Sequence, residues 1–187
     1  VERARGGTGL IITGGFAPNK RGWLKPFASE MTSKGQADRH RSLTSAVHDE
    51  GGAIAMQVLH AGRYGYTPFS VSASASKSPI TPFKASALST KAVDKTVSDF
   101  AASARLAQRA GYDAVEIMGS EGYLINQFLA ERTNDRDDQW GGSATKRMRF
   151  AVETVRRTRE AVGADFPIIY RISLVDLVEG GQTWDEV

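Results

Sequence analysis

The chain has 187 residues, of which 41% are hydrophobic and 24% are charged. This composition provides enough apolar side chains for one globular core and excludes the low hydrophobicity that is typical of disordered chains. The formal net charge is only +3, and basic residues alternate with acidic ones, which argues against nucleic acid as the main partner.

Signals for disulfides and membrane insertion are both missing. The sequence contains no cysteine, and no apolar run approaches the roughly 18 residues that a membrane span requires. We therefore predict a cytoplasmic protein with no membrane partner. The sequence starts without methionine and stops at "GGQTWDEV", where Thr183 would cap another helix. These ends indicate a fragment of a longer protein.

Strands and helices are predicted to alternate along the chain. Short apolar runs at 8–15, 53–60, 112–119 and 167–173 are typical of buried parallel strands. Helical periodicity covers 38–50, 90–110 and about 143–162. This order predicts consecutive βα units of a parallel α/β fold. Periodicity alone leaves an eight-unit barrel and a doubly wound open sheet as alternatives.

The segment 64–89 interrupts this regular alternation. It is rich in Ser, Ala and Pro and is too long for an ordinary connection between a strand and a helix. Two interpretations stay open from the residues alone. The segment is either a lid on the substrate side of the site or a partly disordered insertion.

Glycines and polar residues gather where the predicted strands end. Gly15, the segments 57–63 and 118–123, and Arg171 all occupy such positions. Active sites of parallel barrels lie at the carboxyl ends of the strands. This placement therefore favours the barrel, with a catalytic rim at that end.

Three motifs resemble those of the old yellow enzyme family, which are flavin-dependent (β/α)8 reductases. They are "QVLHAGR" (57–63), "GYLINQFLAERTNDRDDQWGG" (122–142) and "YRIS" (170–173). The resemblance extends over essentially the whole chain. It implies a partial TIM (β/α)8 barrel, about strands 2 to 5 with their helices. Residues 1–187 would then be a fragment of one FMN-binding barrel domain, with both barrel ends and any C-terminal domains absent.

Within this family, "MGSEGY" (118–123) is most similar to the 2,4-dienoyl-CoA reductase branch. That similarity implies FMN-dependent reduction of a C=C bond in an unsaturated acyl-CoA, with electrons from NADPH. It also implies FAD and an iron–sulfur cluster in C-terminal parts of the complete protein. Other enone reductases, amine dehydrogenases and a non-catalytic half-barrel stay open as alternatives. The partner in each catalytic case is a small-molecule substrate.

The resemblance assigns three residues to FMN. The amide of Gln57 both donates and accepts hydrogen bonds, as the pyrimidine edge of a flavin requires. The guanidinium of Arg171 would stabilise negative charge near flavin N1, and Gly15 would let the backbone approach the ring. The alternatives are a Gln57 that satisfies backbone groups, a turn glycine, and a buried Arg171–Glu116 salt bridge.

Tyr123 is the predicted proton donor. Reduction of a conjugated double bond needs a hydride, which flavin N5 supplies, and a proton, which a phenol held within about 3 Å of the substrate carbon can donate. Gly119 and Gly122 would turn the chain sharply so that the phenol faces the flavin. The alternative is an aromatic residue that only packs on the rim.

Two further positions bear on the substrate. Many enone reductases have a pair of neutral donors where this chain has Met118 and Glu121, and this difference favours the dienoyl-CoA branch. The resemblance places Arg132 toward the substrate, where it would bind a thioester carbonyl or a CoA phosphate. The alternatives for Glu121 are tuning of the proton network, binding of a neighbouring cation, and solvation alone, which is usual for an exposed glutamate. His60, at a strand end, is expected to be a structural group.

Overall fold

The computed structural model describes all residues from Val1 to Val187. It contains seven strands: β1 (Leu10–Phe16), β2 (Ala53–Val58), β3 (Val71–Ser72), β4 (Ser76–Lys77), β5 (Lys84–Ala87), β6 (Ala114–Met118) and β7 (Ile168–Arg171). The five α-helices are α1 (Glu2–Arg5), α2 (Lys34–His48), α3 (Thr90–Arg109), α4 (Leu124–Leu129) and α5 (Ala144–Val162).

The four predicted strand runs form one parallel sheet in the order β1-β2-β6-β7. Among these four strands, those that follow one another along the chain are neighbours in the sheet. The small strands β3, β4 and β5 lie outside it. This is the arrangement of a partial (β/α)8 barrel, so the predicted fold class is confirmed. The sheet is open, because β1 and β7 each pair on one side only.

The helices form where capping residues and an apolar face coincide. At α2, the Ser33 side chain accepts from the Gln36 N–H, while the Gln36 side chain accepts from the Ser33 N–H. This capping box starts the helix four residues before the predicted position 38. Helix α3 matches its prediction closely. Its buried face includes Val93, Val97, Phe100, Ala104 and Ala107.

A cluster of aromatic rings joins α3, α4 and α5 into one core. The rings of Phe128 and Phe150 stack with centroids 4.3 Å apart, and Phe100 meets Phe150 edge to face at 6.3 Å. All six residues of α4 are buried. Since α4 begins directly after Tyr123, the core fixes the chain on one side of the predicted proton donor.

The segment 64–89 is folded rather than disordered. It contains a small sheet with the order β3-β5-β4, and its side chains Val71, Ala73 and Leu88 belong to the main hydrophobic core. The Arg136 guanidinium donates to the carbonyls of Ala73 and Leu88 at 2.8 and 2.6 Å. The interpretation of this segment as a partly disordered insertion is therefore wrong, because three of its apolar residues are part of the core.

An apolar groove lies beside the free edge of β7. Met148, Val152 and Val155 of α5 line it, together with Ile168 and Tyr170 of β7. The side chain of Val152 is 59% exposed, although its helical spacing is that of a core residue. None of the helices combines the length and the apolar character that crossing a membrane would take.

Asp138 ties the loop before α5 to the start of α3. Its carboxylate accepts from the Arg136 guanidinium at 2.9 and 2.6 Å, from the Thr90 hydroxyl at 2.6 Å and from the Trp140 N–H at 3.0 Å. These hydrogen bonds, above all those from Arg136, hold the pKa of Asp138 well below its usual value of 3.8. The ionised form therefore stabilises the folded chain.

We predict that Asp138→Asn lowers the free energy of unfolding at pH 7 by about 1–3 kcal/mol. Because the pKa of Asp138 is lower in the folded chain than in the unfolded chain, the extra stability of the wild type over the variant is complete well above the unfolded pKa of about 4. This extra stability is lost as the pH falls toward the folded-state pKa. Urea denaturation at pH 7 and at pH 3 measures the difference in the free energy of unfolding between wild type and variant at each pH. Asp137→Asn is the control, since Asp137 is exposed; a loss that does not shrink at pH 3 would contradict the assignment.

Candidate active site

The carboxyl ends of the four parallel strands bring the predicted flavin residues to one edge of the sheet. In the strand register, Gly15 is opposite Gln57, Gln57 is opposite Glu116, and Met118 is opposite Arg171. Tyr123 follows the end of β6 by five residues. The structure therefore places Gly15, Gln57, Arg171 and Tyr123 at the same end of the sheet and scatters none of them to the other end.

Gln57 is oriented by a buried acid on the neighbouring strand. Its Nε2 donates to Glu116 Oε1 at 2.7 Å, and the two side chains are 9% and 4% exposed. The amide oxygen of Gln57 has no donor within the chain. The sequence identified Gln57 but missed this role of Glu116. The signal was present, because Glu116 is the one acid within the apolar run "AVEIM".

Gly15 lies at a point of close packing in β1. A β-carbon there would lie 2.6 Å from Leu59 Cβ and 3.1 Å from Gln57 Oε1. The register of β1 against β2 shifts between Ile12 and Gly15, and the Gln57 N–H donates to Thr13 Oγ1 at 3.1 Å across this irregularity. Packing by Leu59 is therefore a sufficient reason for glycine at this position.

Arg171 is exposed and pairs with Glu121. Its Nη2 lies 2.8 Å from Glu121 Oε1, and the side chains are 51% and 50% exposed. The alternative of a buried pair with Glu116 is wrong, because Glu116 is opposite Ile169 in the register and binds Gln57. Of the alternatives for Glu121, the structure shows binding to a neighbouring cation, Arg171, rather than solvation alone.

Tyr123 is half-buried at the start of α4. Its ring packs against Leu59 and Met118 and meets Tyr64 edge to face, with centroids 5.8 Å apart. Burial raises the pKa of the Tyr123 phenol above its usual value of 10.0, and the charges of Glu121 and Tyr64 raise it further. The phenol is therefore protonated at neutral pH and holds a proton that it can donate.

The two glycines before Tyr123 serve different purposes. Gly122 has a φ of +75°, and a β-carbon there would overlap the hydroxyl of Tyr64. Gly119 sits under the ring of Tyr170, and a β-carbon there would lie 2.8 Å from the carbonyl oxygen of Arg171. Gly122 thus makes the predicted turn, whereas Gly119 allows close contact between β6 and β7. Glu121 between them also has a positive φ, of 61°.

Arg132 lines a polar cleft of about 380 Å³ next to this turn. Arg63, Tyr64, Glu121 and Asp176 line the same cleft. The backbone N–H of Arg132 donates to the Gly180 carbonyl at 2.8 Å, which fixes the arginine against the loop after β7. The side chain is exposed and accessible to a ligand in the cleft.

His60 is buried, but only one of its two ring nitrogens has a hydrogen-bond partner within the chain. Its side chain is 1% exposed, and burial lowers its pKa to about 3. The neutral ring accepts the Gly62 N–H on Nδ1 at 3.1 Å, and it leaves no room for a β-carbon at Gly22. Burial therefore keeps the ring uncharged near neutral pH.

The chemistry of these groups suits FMN. The unpaired amide oxygen of Gln57 matches the N3–H donor of a flavin, and Glu116 holds the amide in place. The Arg171 guanidinium has N–H groups beyond the one that binds Glu121, and these suit the anionic N1 side of a reduced flavin. Both groups lie at the edge of the sheet where Tyr123 emerges.

Three relatives of the chain are a reductase, an oxidase and a dehydrogenase, each more than three times its length. The metal reductase of Desulforamulus reducens is 40% identical over 97% of this chain and 28% of its own length. The NADH oxidase of Thermoanaerobacter brockii is 38% identical over 100% and 30%. The N,N-dimethylglycine/sarcosine dehydrogenase of Chromohalobacter salexigens is 34% identical over 100% and 28%. The chain thus spans under a third of each.

Solved structures share the fold. A 2-naphthoyl-CoA reductase in complex with 2-naphthoyl-CoA matches 99% of this chain and 31% of its own, with a TM-score of 0.93 and 30% identity. The old yellow enzyme homologue from Zymomonas mobilis matches 90% and 51%, with a TM-score of 0.82 and 31% identity. The model of the NADH:flavin oxidoreductase/NADH oxidase family matches residues 1–187. The chain therefore belongs to this family, which includes the old yellow enzymes that its motifs resemble.

Proposed function

We propose that the protein containing this chain is an FMN-dependent oxidoreductase that reduces a C=C bond of an unsaturated acyl-CoA. One observation carries this proposal. An oriented amide, an accessible guanidinium and a protonated phenol lie at the same edge of the sheet. Gln57, Arg171 and Tyr123 supply these groups. Residues 1–187 are then part of a single FMN-binding barrel domain.

In this proposal Gln57, Arg171 and Gly15 hold the cofactor. The Gln57 amide oxygen accepts from the pyrimidine ring, and Arg171 stabilises the negative charge that the ring gains on reduction. Gly15 provides backbone without a side chain next to the Gln57 amide. When bound, FMN supplies the hydride that is transferred to the substrate.

Tyr123 supplies the proton. Hydride addition to a double bond conjugated with a thioester places negative charge on the carbon next to the carbonyl, and a proton from the phenol neutralises it. Burial and the Glu121 charge raise the pKa of Tyr123, so the phenol enters the reaction with its proton in place. The arrangement makes proton donation specific to the second half of the reaction.

Two observations favour an acyl-CoA over a simple enone. Met118 and Glu121 replace the neutral donor pair of many enone reductases, and Glu121 is committed to Arg171. The neighbouring cleft presents Arg132 and Arg63, and arginine suits the phosphates of CoA. The structural relative that binds 2-naphthoyl-CoA supports a CoA thioester as the substrate class.

An enone reductase or an amine dehydrogenase is the second candidate. The 34% identity to a dimethylglycine/sarcosine dehydrogenase supports it, because related flavin sites serve different substrates on one fold. A dienoyl-CoA and a cyclic enone, each added to the reduced protein, and a methylated glycine, added to the oxidised protein, distinguish the classes. The chain by itself, with two open sheet edges, is expected to be a non-catalytic half-barrel.

The complete protein is proposed to carry more cofactors than FMN. Relatives more than three times as long as the matched region leave room for further domains, and we propose that these bind FAD, an iron–sulfur cluster and NADPH. Iron and acid-labile sulfide analysis, with chromatography of the released flavins, tests this. A cytoplasmic location stays a prediction from the cysteine-free sequence.

The proposed role of Arg171 predicts an effect on flavin binding. Arg171→Ala is expected to weaken FMN binding about 10- to 100-fold, because a charge-assisted hydrogen bond contributes roughly 1.5–3 kcal/mol. Fluorescence titration of the flavin-stripped protein with FMN measures the dissociation constant. Arg149→Ala is the matched control, because Arg149 is an exposed arginine on α5. Equal affinities in wild type and Arg171→Ala would remove Arg171 from the FMN site.

The proposed role of Tyr123 predicts an effect on proton donation. Tyr123→Phe is expected to leave anaerobic flavin reduction by NADPH unchanged and to slow flavin reoxidation by a dienoyl-CoA about 10²- to 10⁴-fold, since only the proton donor is removed. Stopped-flow absorbance of the flavin follows each half-reaction separately. Tyr66→Phe, at a tyrosine that is 53% exposed, is the control and should behave as wild type.

A protein without bound flavin would overturn the proposed function as a whole. A flavoprotein whose Tyr123→Phe variant reoxidises at the wild-type rate would instead retain the cofactor assignment and exclude Tyr123 as the donor.

A further inference from the structure

Gln127 is a fully buried amide whose hydrogen-bonding capacity is completely used. Its Nε2 donates to the Gly122 carbonyl at 2.6 Å and to the Ala61 carbonyl at 3.5 Å. Its Oε1 accepts from the Arg63 N–H at 3.1 Å and from the Ser72 hydroxyl at 2.9 Å. The side chain is 1% exposed. One side chain thus joins three separate segments of the chain.

The three segments all belong to the candidate site. Ala61 and Arg63 follow β2, Ser72 belongs to β3 of the segment 64–89, and Gly122 is the residue before Tyr123. A β-carbon at Gly62, where φ is +61°, would overlap the Gln127 amide. The backbone is therefore shaped around this amide.

The residue before Tyr123 is held on both of its backbone polar groups. The Gly122 carbonyl accepts from Gln127, and the Gly122 N–H donates to Asn126 Oδ1 at 2.6 Å. Asn126 in turn donates to Asp176 Oδ1 at 3.1 Å in the loop after β7. With a φ of +75°, Gly122 adopts a left-handed conformation, and these two bonds fix it. The direction in which the Tyr123 side chain leaves the backbone follows from that conformation.

We propose that Gln127 is a positioning residue for the Tyr123 phenol, and that through Ser72 it couples the segment 64–89 to proton donation. This inference depends on the proposed function, in which Tyr123 is the donor. Proton transfer requires the phenol within hydrogen-bonding distance of the substrate carbon, and a displacement of about 1 Å slows such steps by about 10²-fold. Gln127 touches no reacting atom and acts only through the Gly122 peptide.

The central experiment is a double-mutant cycle between Gln127→Met and Tyr123→Phe in the flavin-loaded full-length protein. Methionine has nearly the same shape as glutamine but makes none of the four hydrogen bonds. Gln127→Met is expected to slow flavin reoxidation by a dienoyl-CoA about 10- to 100-fold, with flavin reduction by NADPH unchanged. In the Tyr123→Phe background the same substitution should change reoxidation less than about 2-fold, because the group it positions is gone.

The control is Gln108→Met. Gln108 Nε2 also donates to a backbone carbonyl, that of Val162 at 2.9 Å, but it lies near the end of α3, away from Tyr123. Gln108→Met should leave both half-reactions unchanged. An equal slowing by Gln127→Met with and without the Tyr123 hydroxyl would show a general packing effect and overturn the proposal.

A second readout does not depend on turnover. In flavin-free protein labelled with ¹³C at tyrosine Cζ, the Tyr123 resonance is assigned from its loss in Tyr123→Phe and titrated with pH. Burial raises the pKa of this phenol above 10.0, so release of the ring into water by Gln127→Met is expected to move its pKa back toward that value. An unchanged titration would mean that the ring had not moved, which contradicts the proposal.

Ser72→Ala tests the coupling to the segment 64–89 and is the milder variant if Gln127→Met does not fold. It removes one of the two donors to Gln127 Oε1 and leaves the bond to Gly122. We expect reoxidation to slow by about 2- to 10-fold, with flavin reduction unchanged; identical rates would overturn the coupling. If Tyr123→Phe itself has no effect on reoxidation, Tyr123 is not the proton donor and that part of the proposed function is overturned. This outcome differs from additive effects of the two substitutions, which would overturn only the positioning role of Gln127.

Discussion

The parallel registers of β2 with β6 and of β6 with β7 are the constraint on which the candidate site depends. The first sets Gln57 opposite Glu116, so that a buried carboxylate orients the amide. The second sets Met118 opposite Arg171, so that the turn after β6 begins beside the guanidinium. A shift by one residue would turn every side chain of a strand to the other face of the sheet. The site is therefore a consequence of strand pairing as much as of the motif residues.

The fold and the positions of the site residues could largely be predicted from sequence, because both depend on local patterns. Apolar runs located four strands, and the resemblance of the strand-end motifs to the old yellow enzyme family located Gln57, Arg171 and Tyr123. The partners of these residues could not be predicted. Glu121 binds Arg171, and Glu116 binds Gln57, since the register decides which acid faces which cation or amide. Spacing along the chain contains no information on that choice.

The segment 64–89 shows a second limit of sequence patterns. Its Ser- and Ala-rich composition resembles that of a flexible loop, yet three of its apolar residues, Val71, Ala73 and Leu88, are buried in the main core. The small strands are stabilised by contacts with distant parts of the chain, such as those from Arg136 and Gln127. Long-range hydrogen bonds of this kind override local composition. For the same reason, the motif "LINQFL" by itself does not indicate the hydrogen bonds that Gln127 makes.

The free edge of β7 has a consequence for handling the isolated chain. Its outward backbone groups have no strand partner in the sheet, and the groove formed by Met148, Val152 and Val155 lies next to them. Such an edge accepts any extended peptide, because backbone pairing is indifferent to side-chain identity. Two copies of the chain can thus satisfy each other's edges at high concentration. The isolated chain is therefore best kept dilute, and light scattering before spectroscopy shows whether it has associated.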